Sequence, residues 1–202
     1  MDLHLHRISN TTAAKKVEWP PLPGRASGEH AHWQALANRL ACPECRKPLQ
    51  PVPALNPKTL HCRHCNHFYP INQGIPQLIR PSRRDEIARF NALYDAIRLK
   101  EGWANPLPGY YEALPFRDLS GKNVRLWQCR ARSFQILQKW LQKRFGDRPV
   151  QILDAGAGSG WMSQRLGARY SVIAIDLNAG PHGLAAFPPQ QRCFYAVQGE
   201  LN

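Results

Sequence analysis

Four of the cysteines fall in two pairs, Cys42-Pro-Glu-Cys45 and Cys62-Arg-His-Cys65, with sixteen residues between them. This spacing constrains the fold more than any other feature. A CxxC turn presents two sulfurs to one ion, and zinc takes four such ligands in a tetrahedron. Two turns close the site, and the segment between them is expected to form a small ribbon. Two disulfides would use the same residues. The N-terminus "MDLHLHRISNTTAAKK" has no apolar h-region, so a secreted, oxidised protein is not expected. A redox dithiol would not need the second pair. Cys42, Cys45, Cys62 and Cys65 are therefore the expected zinc ligands. His61, His64 and His67 are expected at an exposed ribbon tip, because four thiolates already saturate zinc. Cys129 and Cys193 sit on helix and strand patterns and are expected to be ordinary buried thiols.

The residues after the second pair, "HCRHCNHFYPINQGIPQLI", carry a further pattern: Tyr69, Pro70, Ile71, then Gly74, Ile75, Pro76, then Leu78 and Ile79. Physically, Gly74 permits a tight turn, and the prolines suit edge positions that need no ladder donor. The stretch over 42–79 resembles the ribbon of small zinc-binding methyltransferase-activator proteins. It is also similar to the N-terminal ribbon of bacterial ribosomal RNA guanine methyltransferases.

Four regions are expected. Residues 1–28 are polar and broken by "WPPLPG", which reads as a disordered tail. Residues 29–80 form the zinc-ribbon domain, opening on a short helix over 29–40 with Trp33, Leu36, Ala37 and Leu40 at helical spacing. Residues 81–148 form a helical linker or lid. Its first helix starts near Ser82 and sets Ile87, Phe90, Tyr94 and Ile97 on one face. A Pro- and Gly-rich loop follows, in which Trp103, Tyr110 and Tyr111 either cover a cofactor or pack on the core. A longer helix over 122–145 sets Trp127, Ala131, Phe134, Leu137, Leu141 and Phe145 inward, and Gly146 and Pro149 stop it. From residue 149 to 202 the period changes. "VQILDA", "YSVIAIDL" and "CFYAVQG" read as strands, with helices at "SGWMSQRLGA" and "PHGLAAF". This alternation predicts a parallel α/β unit.

Between the first strand and its helix lies "ILDAGAGSG", with Gly156, Gly158 and Gly160 at alternate positions. Asp154 precedes them, and Asp176 ends the next strand, twenty residues after Gly156. Strand, glycine turn, helix and a distal acid make a nucleotide-binding arrangement. A dinucleotide fingerprint would need glycine at 161, where Trp161 stands. The stretch resembles motif I of class I S-adenosylmethionine-dependent methyltransferases, over residues 150–202. That resemblance implies that Asp154 lies near the methionyl amino group and that the glycines line the methionine and ribose. It implies that Asp176 binds the ribose hydroxyls and that Glu200 contacts the adenine edge. It gives the fold class as α/β: an incomplete Rossmann-like methyltransferase sheet, preceded by a small zinc ribbon and a helical linker. The family's sheet has seven strands and three are recognisable here. The chain is therefore expected to be a fragment of a longer enzyme, with its first or third strand at an open edge. Catalytic residues are not assigned.

The formal charge of +13 is uneven. Residues 1–80 carry ten Lys and Arg against four Asp and Glu, residues 81–148 fourteen against seven, and residues 149–202 three against three. A basic half beside a neutral one suits a polyanion such as RNA, or else a solubilising surface. Arg125, Trp127, Arg130 and Arg132 either frame an anionic partner or form the solvated face of a helix. No apolar run reaches the roughly 20 residues that span a bilayer, and a cytoplasmic location is expected. The leading expectation is methyl transfer from S-adenosylmethionine to an unidentified acceptor, RNA before a small molecule or lipid. The alternative is a non-catalytic zinc-ribbon adaptor that binds RNA or a methyltransferase partner.

Overall fold

The computed structural model describes residue 36 and residues 39–52 and 59–201. The tail over 1–28 and most of the helix expected over 29–40 lie outside these residues. The ribbon comprises β1 (Gln50–Pro51), β2 (Thr59–Cys62), β3 (His67–Asn72) and β4 (Ile75–Leu78). Each pairs antiparallel with the next. The β3–β4 hairpin turns through Gln73 and Gly74, both at positive φ (49° and 72°). A two-residue turn of this kind matches the twist of the flanking strands.

A 3-10 turn (Pro81–Arg83) leads into α1 (Arg84–Glu101), which ends on Gly102 in the left-handed conformation, φ 78°. The loop expected after it contains a one-turn helix, α2 (Tyr110–Ala113). Tyr110 and Tyr111 are buried and Trp103 packs against the same core. They take the packing role of the two the sequence left open. Helix α3 (Val124–Phe145) buries Trp127, Phe134 and Leu141, as its spacing predicts, and stops at Gly146.

The last part alternates β5 (Gln151–Ala155), α4 (Trp161–Gly167), β6 (Ser171–Asp176), a 3-10 turn (Leu184–Ala186) and β7 (Tyr195–Gly199). β5, β6 and β7 run parallel. The strands of the described residues form one mixed sheet in the order β1-β2-β3-β4-β7-β6-β5. Ribbon and α/β unit are thus one sheet, joined where β4 runs parallel to β7 with Gln77 opposite Gln198 and Leu78 opposite Gly199. The third strand is therefore covered by the ribbon. Among the described residues the α/β unit's open edge is its first strand, β5, whose Leu153 is 61% exposed, and β1 of the ribbon is the other edge of the sheet.

Successive residues of β6 and β7 point to opposite faces. Val172, Ala174 and Ala196 meet Trp127, Phe134 and Leu141 of α3 and Leu166 of α4. Tyr195 and Val197 meet Leu36, Leu49, Leu60, Tyr69 and Ile71 of the ribbon. The ribbon therefore both extends this sheet and packs its own apolar residues against one face of β7, and each side supplies apolar cover that the other lacks.

Candidate functional site

The two CxxC turns converge. The four sulfurs of Cys42, Cys45, Cys62 and Cys65 all lie within 4.8 Å of one another. Cys42 Sγ is 3.4 Å from Cys65 Sγ, and Cys45 Sγ is 3.4 Å from Cys62 Sγ. Zinc–sulfur bonds of about 2.3 Å in a tetrahedron put sulfurs about 3.8 Å apart, so the residues fit the ion. Burial pushes the Cys62 thiol up, but the N–H groups of Cys65 and His64 and the facing sulfurs outweigh it and bring it to about 6. Desolvation and the other sulfurs push Cys65 up to about 12. Four thiols this close cannot all ionise without a cation among them.

Outside the sulfurs, the buried Tyr69 hydroxyl lies 3.1 Å from Cys42 Sγ. Tyr69 stood out in the sequence only as part of the ribbon pattern; its contact with the ligand is a tertiary one. The histidines are not in the cluster. His61 stacks on Phe68, ring centroids 4.4 Å apart, and its Nε2 is 2.9 Å from Asn66 Oδ1. His64 is exposed and His67 half-buried. The two other cysteines depart from expectation: Cys129 is exposed and Cys193 half-buried. Cys129 lies on the outer face of α3, opposite Trp127, and β7 begins only after Cys193.

At the other end of β7 the glycine turn folds back on β6. Gly156 and Ala157 donate to the Ile175 carbonyl, and Gly158 N donates to Asp176 Oδ2 at 2.7 Å. Asp176 Oδ1 accepts from Asn178 N at 2.8 Å. Asp176 therefore clamps the turn to the loop beyond β6. Gly156 and Gly158 take positive φ (76° and 57°). Gly160, also at φ 72°, faces Phe194, where an added Cβ would stand 2.5 Å from the ring.

Gly156, Asp176 and Glu200 line a cavity of about 430 Å³ together with Arg83, Phe90 and Tyr94. Asp154, Gly158 and Gly160 lie outside that lining. Asp154 is buried and accepts from Ser163 Oγ at 2.6 Å. Burial lifts its carboxyl above the usual range, the Ser163 bond opposing and the Asp176 charge adding. Glu200 pairs with Arg83 at 2.9 Å, and its Oε2 is buried without a partner.

The wall from α1 is a departure. Ile87 is buried, but Phe90, Tyr94 and Ile97 are 47%, 37% and 43% exposed. The helix crosses the ends of β7 and β6 instead of lying on the core, so the stacked pair Phe90–Tyr94, 5.7 Å apart, faces the cavity. Its apolar stripe is legible in sequence; the cavity beneath it is not. The four residues before the core also separate. Trp127 is buried, Arg130 lies over Trp103 and Trp127 at 4.5 and 4.7 Å, and Arg125 and Arg132 point outward.

No helix of the described residues is long and apolar enough to cross a membrane. No curated protein matches the chain. A family model for Trm112p-like proteins matches residues 34–74, which include all four sulfur ligands. The N-terminal module of this chain is a Trm112p-like zinc ribbon.

Proposed function

We propose that the chain works in methyl transfer as an adaptor of the methyltransferase-activator type, whose client is its own α/β unit. The observation that carries this reading is the parallel pairing of β4 with β7. The ribbon adds a strand to the sheet and covers Tyr195 and Val197. Strand addition of this kind binds through main-chain hydrogen bonds and gains specificity from side-chain pockets. Zinc holds the ribbon in the shape that offers β4. The test is amide hydrogen exchange at Tyr195–Gly199 with and without a zinc chelator. Lost protection is expected; protection unchanged after complete zinc release overturns the reading.

A second reading is favoured by the cavity beside Glu200. In it, the α/β unit is a Rossmann-like methyltransferase unit, and the chain binds S-adenosylmethionine and transfers its methyl group to an acceptor, RNA before a small molecule or lipid. When bound, the cofactor supplies an electrophilic methyl group. Asp176 would accept from the ribose hydroxyls, and the orphaned Glu200 Oε2 suits an N–H donor on the base edge. Gly156 allows close backbone approach, while Asp154, Gly158 and Gly160 hold the turn in shape. Methyl transfer depends mainly on alignment of nucleophile and sulfonium, so no general base is needed. Calorimetry with S-adenosylhomocysteine tests it. Micromolar binding abolished by Asp176→Ala is expected, and no heat at millimolar ligand overturns it.

A further inference from the structure

The outward face of α3 is used by neither reading. Its sequence, "VRLWQCRARSFQILQKWLQKRF", holds six Lys and Arg and no acidic residue. The buried stripe of Trp127, Phe134 and Leu141 fixes the helix rotation. At about 100° per residue, Arg125, Arg132, Lys139 and Lys143 then fall on the opposite side. At 1.5 Å per residue they span about 27 Å along the axis. All four are exposed. None has an ion pair among the described residues. The nearby Asp147 is already held by Arg169 at 2.6 Å. Beside this row stands Trp140, 54% exposed, with an edge contact to Phe145 at 5.9 Å.

We infer that this face binds the phosphate backbone of single-stranded RNA, with Trp140 stacking on a base. A line of unpaired cations attracts a polyanion through counterion release. An exposed indole beside it is the usual platform for an unstacked base. An anionic membrane fits less well. A helix lying in a lipid surface needs a continuous apolar face to insert; the inner stripe of α3 is buried in the core, and its exposed Val124, Leu126, Ile136 and Trp140 are spread along the helix among its Lys and Arg and form no continuous face. The inference does not rest on methyl transfer, and its test needs no cofactor.

The test is fluorescence anisotropy of the full, zinc-loaded chain with a labelled 20-nucleotide single-stranded RNA between 50 and 200 mM salt. Substituting Arg125, Arg132 and Lys139 together by Gln should lower the slope of log affinity against log salt by about 2. Substituting Arg89, Lys100 and Arg117 by Gln changes the net charge equally and should leave the slope as it was. Trp140→Ala should weaken binding by about tenfold with little change in slope. Circular dichroism checks that each variant folds. Equal slopes for the two triple variants overturn the inference. So does absence of RNA binding by the parent, or α3-dependent binding only to phosphatidylserine–phosphatidylcholine vesicles.

Discussion

Tyr69→Phe isolates the contact between the ribbon core and the metal centre. The ring is fully buried against Leu60 and Ile71, and Phe keeps that packing. Only the hydroxyl at 3.1 Å from Cys42 Sγ is lost. Toward a thiolate the hydroxyl donates, and a hydrogen bond to a charged group contributes about 1.5–3 kcal/mol. Burial and the Cys42 sulfur both hold the Tyr69 hydroxyl well above the usual phenol range, so it keeps its proton for that bond. At about 1.4 kcal/mol per factor of ten, the lower half of this range is a loss of roughly ten- to fortyfold in zinc affinity. Partners just outside a metal's ligands commonly affect affinity by 10–100-fold. The assay is competition for zinc with a chromogenic chelator at pH 7, parent against variant. Affinities within twofold of each other would refute the reasoning: the hydroxyl would then not support the thiolate.

Further outcomes are expected in the α/β unit. Gly160→Ala should destabilise by about 2–4 kcal/mol, from a left-handed backbone and from collision with the fully buried Phe194 ring. Gly158→Ala shares the positive φ but meets nothing within 4 Å, so it should cost about 1–2 kcal/mol; denaturant midpoints that come out equal would refute the packing half. Because the Asp154 pKa is raised, its contribution is fully present below the unfolded value and fades as pH rises through the folded value. Asp154→Asn should therefore be at least as stable as the parent at pH 7, with the difference shrinking toward pH 4. Asp154→Ala should cost about 1–3 kcal/mol by stranding the Ser163 hydroxyl. Urea titrations at both pH values decide the matter, and an Asn variant less stable at pH 7 counts against a strained carboxylate. Gly167→Ala should be the most damaging of the small substitutions, because its Cβ would stand 1.9 Å from the Cys193 carbonyl oxygen; a melting temperature like the parent's would contradict this.

Several features were legible because their cause is local. Two CxxC turns, three glycines at alternate positions, and the three-and-four spacing of Trp127, Phe134 and Leu141 each bring residues together within one turn or element. Cys129 and Cys193 were misread for the same reason. A pattern gives the element, but a lone thiol between stripes has no period that fixes its side. Phe90 and Tyr94 show a second limit. Their stripe was visible, but a stripe says only that a face is apolar, not whether a core or a cavity lies beneath it.

The amino-acid sequence by itself determined the two CxxC turns and their ligand chemistry, the glycine turn and the strand–helix alternation, because these rest on residue types at short spacing and on backbone conformations that few residues tolerate. Tertiary structure alone decided that the ribbon and the α/β unit share one sheet, that Tyr69 touches Cys42, and that Arg83 reaches Glu200. It also decided which side of α3 is left to solvent. Those facts depend on residues far apart in the chain meeting: within the ribbon for Tyr69 and Cys42, across β4 and β7 for the shared sheet, and in the core beneath α3. An apolar or hydrogen-bonding edge accepts any partner of matching shape, so the pairing follows from how the whole chain packs.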